Sequence, residues 1–144
     1  MGLTFLRGSR IYLDTAPLIY TIEEHGVYWP ELQPVWTEFR DGKLRIVTSE
    51  LSLLETLVRP IREGNAGLAN AYDELLTAGE VSLIPVTTSI LRAAAELRAN
   101  HNLKTPDAIH AATAIASNCD YLVANDNGFR RLTDINVIIL ADLV

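Results

Sequence analysis

The sequence predicts an α/β domain, a parallel sheet with helices on both sides, on three observations. Short runs rich in Val, Ile and Leu alternate with longer segments of helical spacing. The runs are continuously apolar rather than alternating, as strands buried on both faces are. The strand–helix alternation itself argues for a parallel sheet.

In chain order, the first strand is expected at Ile11–Leu13 and stops at Asp14. In "DTAP", Thr15 is placed to cap the next helix and Pro17 fits its first turn. Two helical patterns follow, Ala16–Glu24 and Pro30–Arg40, with the loop "EHGVYWP" between them. Trp29 and Trp36 belong to this region and are expected to pack. The second strand is Leu44–Val47, followed by the helical "SELSLLETLVRP", in which Leu51, Leu54 and Val58 share a face that Glu55 borders. Leu68, Tyr72, Leu75 and Leu76 form the next stripe, which Gly79 ends. The third run, Val81–Ile84, precedes a stripe of Ile90, Ala94 and Leu97. Thr105 as N-cap and Pro106 then open a helix that is apolar almost all round from Ala108 to Ala116, hence buried. Strands at Tyr121–Ala124 and Val137–Leu140 complete the set, with the short helix "FRRL" between them. With no internal repeat and no long linker, residues 1–144 read as a single domain.

Composition narrows the function classes. No apolar run approaches the ~20 residues that span a bilayer, and "MGLTFLRGSR" lacks the charge order of a secretory signal. The single cysteine, Cys119, forms neither an internal disulfide nor a thiolate metal cage. A cytoplasmic protein is expected. The net charge of −6 argues against holding nucleic acid by a large positive field. No glycine-rich phosphate loop is present, and "GNAG" at Gly64–Gly67 reads as a surface turn.

Ligands of open parallel sheets sit outside the carboxyl ends of the strands. Asp14 is at such an end, and Asp126 lies just past another. Asp107 opens the buried helix, which holds it rigidly, and Glu55 stands at the edge of an apolar stripe. Singly, each has a bland explanation: a turn, a solvated flank, a helix-dipole partner. Together they make an oxygen-only set suited to Mg²⁺ or Mn²⁺ and not to zinc. Two such ions activate water and stabilise the leaving oxygen in phosphodiester hydrolysis.

The order and surroundings of these acids resemble those of the PIN-domain ribonucleases, especially the VapC-type toxins of prokaryotic toxin–antitoxin pairs. The resemblance rests on "YLDTAPLIY", "SELSLLETLVRP", "TPDAIHAATA" and "LVANDNGFRRL", which span nearly the whole chain in the family's order. It implies a three-layer α/β/α sandwich with a central parallel sheet (PIN-like) and a divalent-metal-dependent endoribonuclease acting on an RNA substrate. It also implies a cognate antitoxin and a homodimer. Asp14 and Asp107 are then the principal metal ligands, with Glu55 and Asp126 completing the catalytic set and Thr15 and Asn125 supporting them. Arg59, Arg62, Arg130 and Arg131 are candidate phosphate contacts. Two positions depart from the pattern: Ala16, where many relatives carry Asn, and Ala124, where many carry Thr or Ser. His110 lies one helical turn after Asp107 and reads as a packing or hydrogen-bonding residue. The alternatives are a housekeeping PIN nuclease, a non-catalytic PIN-like module that binds RNA or protein, and another Mg²⁺-dependent phosphoryl enzyme. Ala16, where a haloacid-dehalogenase-like enzyme needs its second Asp, lowers the last.

Overall fold

The computed structural model describes residues 2–144. Within them, β1 (Arg10–Leu13), β2 (Arg45–Ser49), β3 (Ser82–Ile84), β4 (Tyr121–Ala124) and β5 (Asn136–Ile139) form one all-parallel sheet in the order β3-β2-β1-β4-β5. Helices α1 (Thr15–Ile22) and α2 (Trp29–Arg40) join β1 to β2, and α3 (Glu50–Arg62) and α4 (Ala66–Thr77) join β2 to β3. Helices α5 (Thr88–His101) and α6 (Thr105–Ala116) then carry the chain back across the sheet to β4.

The side-chain period of two along each strand sorts the core into two layers. Ile11 and Leu13 of β1 pack with Leu18, Leu32 and Trp36 on the α1–α2 side. Tyr12, between them, packs with Ala108, Ala111 and Phe129 on the α6 side. Both faces of the sheet are therefore covered, which is why these strands read as unbroken apolar runs. A fully buried Leu such as Leu13 or Leu18 contributes about 1.5–3 kcal/mol. The alanines of α6 let its backbone lie close to the sheet. Gly79, at φ +94°, ends α4 as the glycine signal predicted.

Strand order reverses between β1 and β4, so the crevice outside their carboxyl ends is the switch point of the sheet. Asp14 sits there, its backbone N–H bonded to the Val123 carbonyl at 3.0 Å.

Three local expectations need correction. Thr15 does not cap α1; it is the first helical residue, and its hydroxyl donates to Glu55 instead. Thr105 likewise lies inside α6, whose N-cap position is Lys104. On α3 the apolar stripe faces outward: Leu54 and Val58 are 61% and 43% exposed. The helix docks through Ser52, Thr56 and Pro60 instead. Ser52 Oγ lies 2.7 Å from Thr48 Oγ1 of β2, so a hydroxyl contact sets the helix rotation. That rotation turns Glu55 toward the crevice.

Candidate functional site

Asp14 after β1, Glu55 of α3, Asp107 of α6 and Asp126 after β4 line one cleft of about 570 Å³, together with Thr15 and His110. Another cleft of about 580 Å³ lies around Arg10, Lys43 and Arg45 and is lined by one acid only, Asp120. The carboxylates converge in the first.

A buried hydrogen-bond chain organises them. Tyr12 OH accepts the Ser49 backbone N–H at 3.1 Å and lies 2.6 Å from His110 Nδ1. His110, 1% exposed, directs Nε2 to Glu55 Oε1 at 2.7 Å and toward Asp14 Oδ1 at 3.3 Å. Thr15 Oγ1 donates to the same Glu55 oxygen at 2.7 Å. Burial pushes Glu55 upward, but the hydrogen bonds from His110 and Thr15 outweigh it and leave the carboxyl below its ordinary range. For His110, burial opposes the charged form, yet the bond to Glu55 and the charges of Asp14, Glu55 and Asp107 raise it overall. In the neutral tautomer with Nε2 protonated, and in the imidazolium, Nε2–H donates to Glu55.

Asp14 is only 7% exposed. Burial raises its carboxyl, His110 pulls against this, and Glu55 and Asp126 add repulsion. Asp107 is pushed up to about 6 by burial and by the charges of Asp126 and Asp14. Its Oδ2 is buried without a hydrogen-bond partner. Asp126 Oδ1 accepts the Gly128 N–H at 2.8 Å, the polar turn its sequence suggested, while Oδ2 lies 3.9 Å from Lys104 Nζ.

Among the described residues, no three His, Cys, Asp or Glu side chains form a ready-made metal-binding group. The chemistry of the donors nevertheless fits a hard divalent cation. Asp107 Oδ2 is an orphaned buried oxygen, and Asp14 and Asp107 are disfavoured as bare anions. Gly128 adds a close approach: a Cβ there would lie 3.1 Å from Asp126 Oδ1 and 3.6 Å from Asp107 Oδ2. Residues able to hold Mg²⁺ or Mn²⁺ are thus Asp14 and Asp107, with Asp126 and the free Glu55 oxygen beside them.

Asn125 joins the site through Tyr20: its Nδ2 donates to the Tyr20 hydroxyl at 3.1 Å, and its Oδ1 accepts the Ala141 N–H at 2.9 Å. The four candidate arginines do not line the cleft. Arg59 pairs with Glu23 at 2.5 Å, Arg130 with both oxygens of Asp142, and Arg131 donates to the Asn102 carbonyl. Arg62 has no ion pair among the described residues, so it alone of the four is unengaged by a carboxylate or carbonyl. Trp36 packs as expected, its Nε1 donating to Thr21 Oγ1 at 2.8 Å. The Cys119 thiol is pushed up to about 12 by burial and is unreactive. The organising residues that sequence reasoning underweighted are Tyr12, His110 and Gly128; the signal for His110 was its one-turn spacing from Asp107.

A PIN domain family model matches residues 11–135. A search of curated proteins finds no match. Among solved structures, VapBC2 from Rickettsia felis, bound to a DNA fragment from its promoter, aligns at TM-score 0.70 and 20% identity, covering 90% of this chain and 98% of that one. A toxin–antitoxin complex from Klebsiella pneumoniae aligns at TM-score 0.69 and 20% identity, covering 90% and 97%. VapC20 from Mycobacterium tuberculosis, described as a sarcin-ricin-loop-cleaving toxin, aligns at TM-score 0.70 and 18% identity, covering 88% and 98%. At these identities the likeness is one of fold. With the family match running from β1 to the start of β5, the chain belongs to the PIN domain family.

Proposed function

We propose that the chain is a divalent-metal-dependent endoribonuclease and the toxin of a type II toxin–antitoxin pair. The observation that carries this reading is the meeting of Asp14, Glu55, Asp107 and Asp126 in one cleft at the switch point of the sheet. Bound among them, Mg²⁺ or Mn²⁺ supplies water activation and charge stabilisation at the leaving oxygen. The protein's own residues do the rest. Asp14 and Asp107 offer oxygens whose ionisation is opposed by burial and neighbouring negative charge, a cost that a bound cation would relieve. His110 Nε2–H and Thr15 Oγ–H fix one Glu55 oxygen and leave the other for the cleft. Thr15 Oγ1, 2.7 Å from Glu55 Oε1 and 3.3 Å from His110 Nε2, acts in this reading as a support for the carboxylate. Water is the nucleophile in this reading, with no covalent intermediate.

The toxin reading draws on similar folds described as toxin–antitoxin complexes. An antitoxin would cover the acidic cleft, and an Arg is the natural contact, its donor fork standing in for the metal. A homodimer is also part of the reading. The outward stripe of Leu54, Val58 and Ile61 on α3 supports a face covered by protein. The experiment is cleavage of RNA by the purified chain in Mg²⁺ or Mn²⁺, repeated in excess EDTA and with Asp14→Asn. Loss of cleavage in both supports the reading; cleavage unchanged by EDTA removes it.

A further inference from the structure

Resting on the ribonuclease reading, the structure raises a question of how RNA is held. Phosphate contacts are scarce. The chain is net acidic, and Arg59, Arg130 and Arg131 are engaged by other groups. Lys104 does not line the cleft but lies 3.9 Å from Asp126, which does. With so little positive field, contacts to the bases gain weight beside those that Arg62, Lys104 and a bound metal could make to phosphate.

Aromatic side chains stand where such contacts are needed. Tyr20 lines the acidic cleft, and its ring is oriented by the bond from Asn125 to its hydroxyl. Tyr28 stacks on Tyr20 with ring centres 4.8 Å apart and planes at 28°. His25 stacks on Tyr28 at 4.9 Å and 25°, and lies 4.8 Å from Tyr20. The loop that carries His25 and Tyr28, between α1 and α2, holds this arrangement against Tyr20 of α1. His25 Nδ1 accepts the backbone N–H groups of Val27 and Tyr28 at 3.2 and 3.3 Å. The His25 N–H reaches the Tyr20 carbonyl at 3.0 Å, and the Trp29 N–H reaches the His25 carbonyl at 2.9 Å. Tyr20 and Tyr28 rest one side on the core while His25 is exposed. The rings thus form one aromatic cluster that reaches from Tyr20, which lines the cleft, out to the exposed His25.

We infer that Tyr20, His25 and Tyr28 form a stacking platform for an unpaired RNA base next to the scissile phosphodiester. An exposed, sequence-tolerant π-face suits bases that are splayed from loops or single strands, and excludes those locked in a duplex. The platform would place the backbone of the adjoining nucleotide over the carboxylates.

The test compares a decamer of oligoadenylate with an abasic decamer, both bound to protein carrying Asp14→Asn to hold cleavage back. The two probes have the same phosphates, so their affinity ratio reports base contacts alone. The platform predicts a preference for oligoadenylate of roughly 5- to 100-fold. His25→Asn, which removes one ring and keeps an acceptor for the loop amides, lowers that ratio, and His25→Asn with Tyr28→Leu lowers it further, leaving Tyr20 alone to stack. Tyr28→Phe retains it. The slope of binding against salt stays the same in all variants, because no phosphate contact is lost. A ratio near one in the parent, or a ratio unchanged by removal of the His25 and Tyr28 rings, overturns the platform. Cleavage by the unmodified chain is measured alongside: metal-dependent cleavage without base preference removes the platform alone, and base preference without cleavage removes the ribonuclease reading alone.

Discussion

The imidazole of His110 lies 2.7 Å from Glu55 and 3.3 Å from Asp14, so one buried side chain sets the spacing of two of the four carboxylates. Tyr12 holds the other side of the ring at 2.6 Å. A hydrogen-bonded support of this kind fixes the direction of a ligand without touching the metal. His110→Ala is therefore expected to weaken Mn²⁺ binding and cleavage by about 10- to 100-fold. Calorimetric titration with Mn²⁺ checks this; an unchanged affinity in a folded variant would show that the imidazole only packs.

Asp107 makes the metal-free protein sensitive to pH. Its folded-state pKa of about 6 stands above the ordinary carboxylate value, so between the two the native state binds a proton that the unfolded chain has released. The associated stability is complete at low pH and is lost as pH rises through about 6. Asp107→Asn, which mimics the protonated carboxyl, is expected to match wild type near pH 4 and exceed it at pH 7. Loss of the favourable charge in the first turn of α6 opposes the gain by about 0.3–1 kcal/mol. Urea unfolding of both proteins in EDTA across this range measures the difference.

Gly128 is expected to tolerate alanine in fold but not in function. Its φ is not in the left-handed region, so the backbone accepts a side chain. The new methyl would press on Asp126 Oδ1 at 3.1 Å and on Asp107 Oδ2 at 3.6 Å. Gly128→Ala should keep stability within about 1 kcal/mol of wild type and lower Mn²⁺ affinity by roughly 10-fold. Thermal melting in EDTA and titration with Mn²⁺ separate the two effects.

An antitoxin that inhibits by directing a basic side chain at the carboxylates should lose inhibition when that residue is replaced. Coexpression of the chain with partner variants, read as recovery of RNA cleavage, identifies the residue. Inhibition that persists after every basic residue near the cleft is replaced would mean that the partner acts elsewhere.

The strands were legible because burial on both faces left their apolar runs unbroken. Tyr121–Ala124 matched to the residue, and the stripe Ile90, Ala94 and Leu97 is the buried face of α5. Helix starts shifted by a residue, since Thr15 and Thr105 had local capping patterns that the folded backbone did not use. The rotation of α3 was hidden. Leu54 and Val58 suggest an inward stripe, but Ser52 and Thr56 face the core because Thr48 offers a hydroxyl partner across the interface. Pairwise contacts of this kind have no period. The same limit applies to the site: Asp14, Glu55, Asp107 and Asp126 were visible as residues, and their ordering by Tyr12 and His110 depends on groups 98 positions apart in the chain.

The most direct measurement is thermal melting at pH 7 in EDTA and in millimolar Mn²⁺, for wild type and Asp14→Asn. A cation held by the native carboxylates stabilises by mass action, by about 2.7 kcal/mol at a hundredfold excess over the dissociation constant. For a domain of this size the rise in Tm is roughly 10 °C. Wild type should show that rise and Asp14→Asn should lose most of it. No shift in wild type, or an equal shift in both proteins, would contradict a divalent-metal site built on Asp14, Glu55, Asp107 and Asp126.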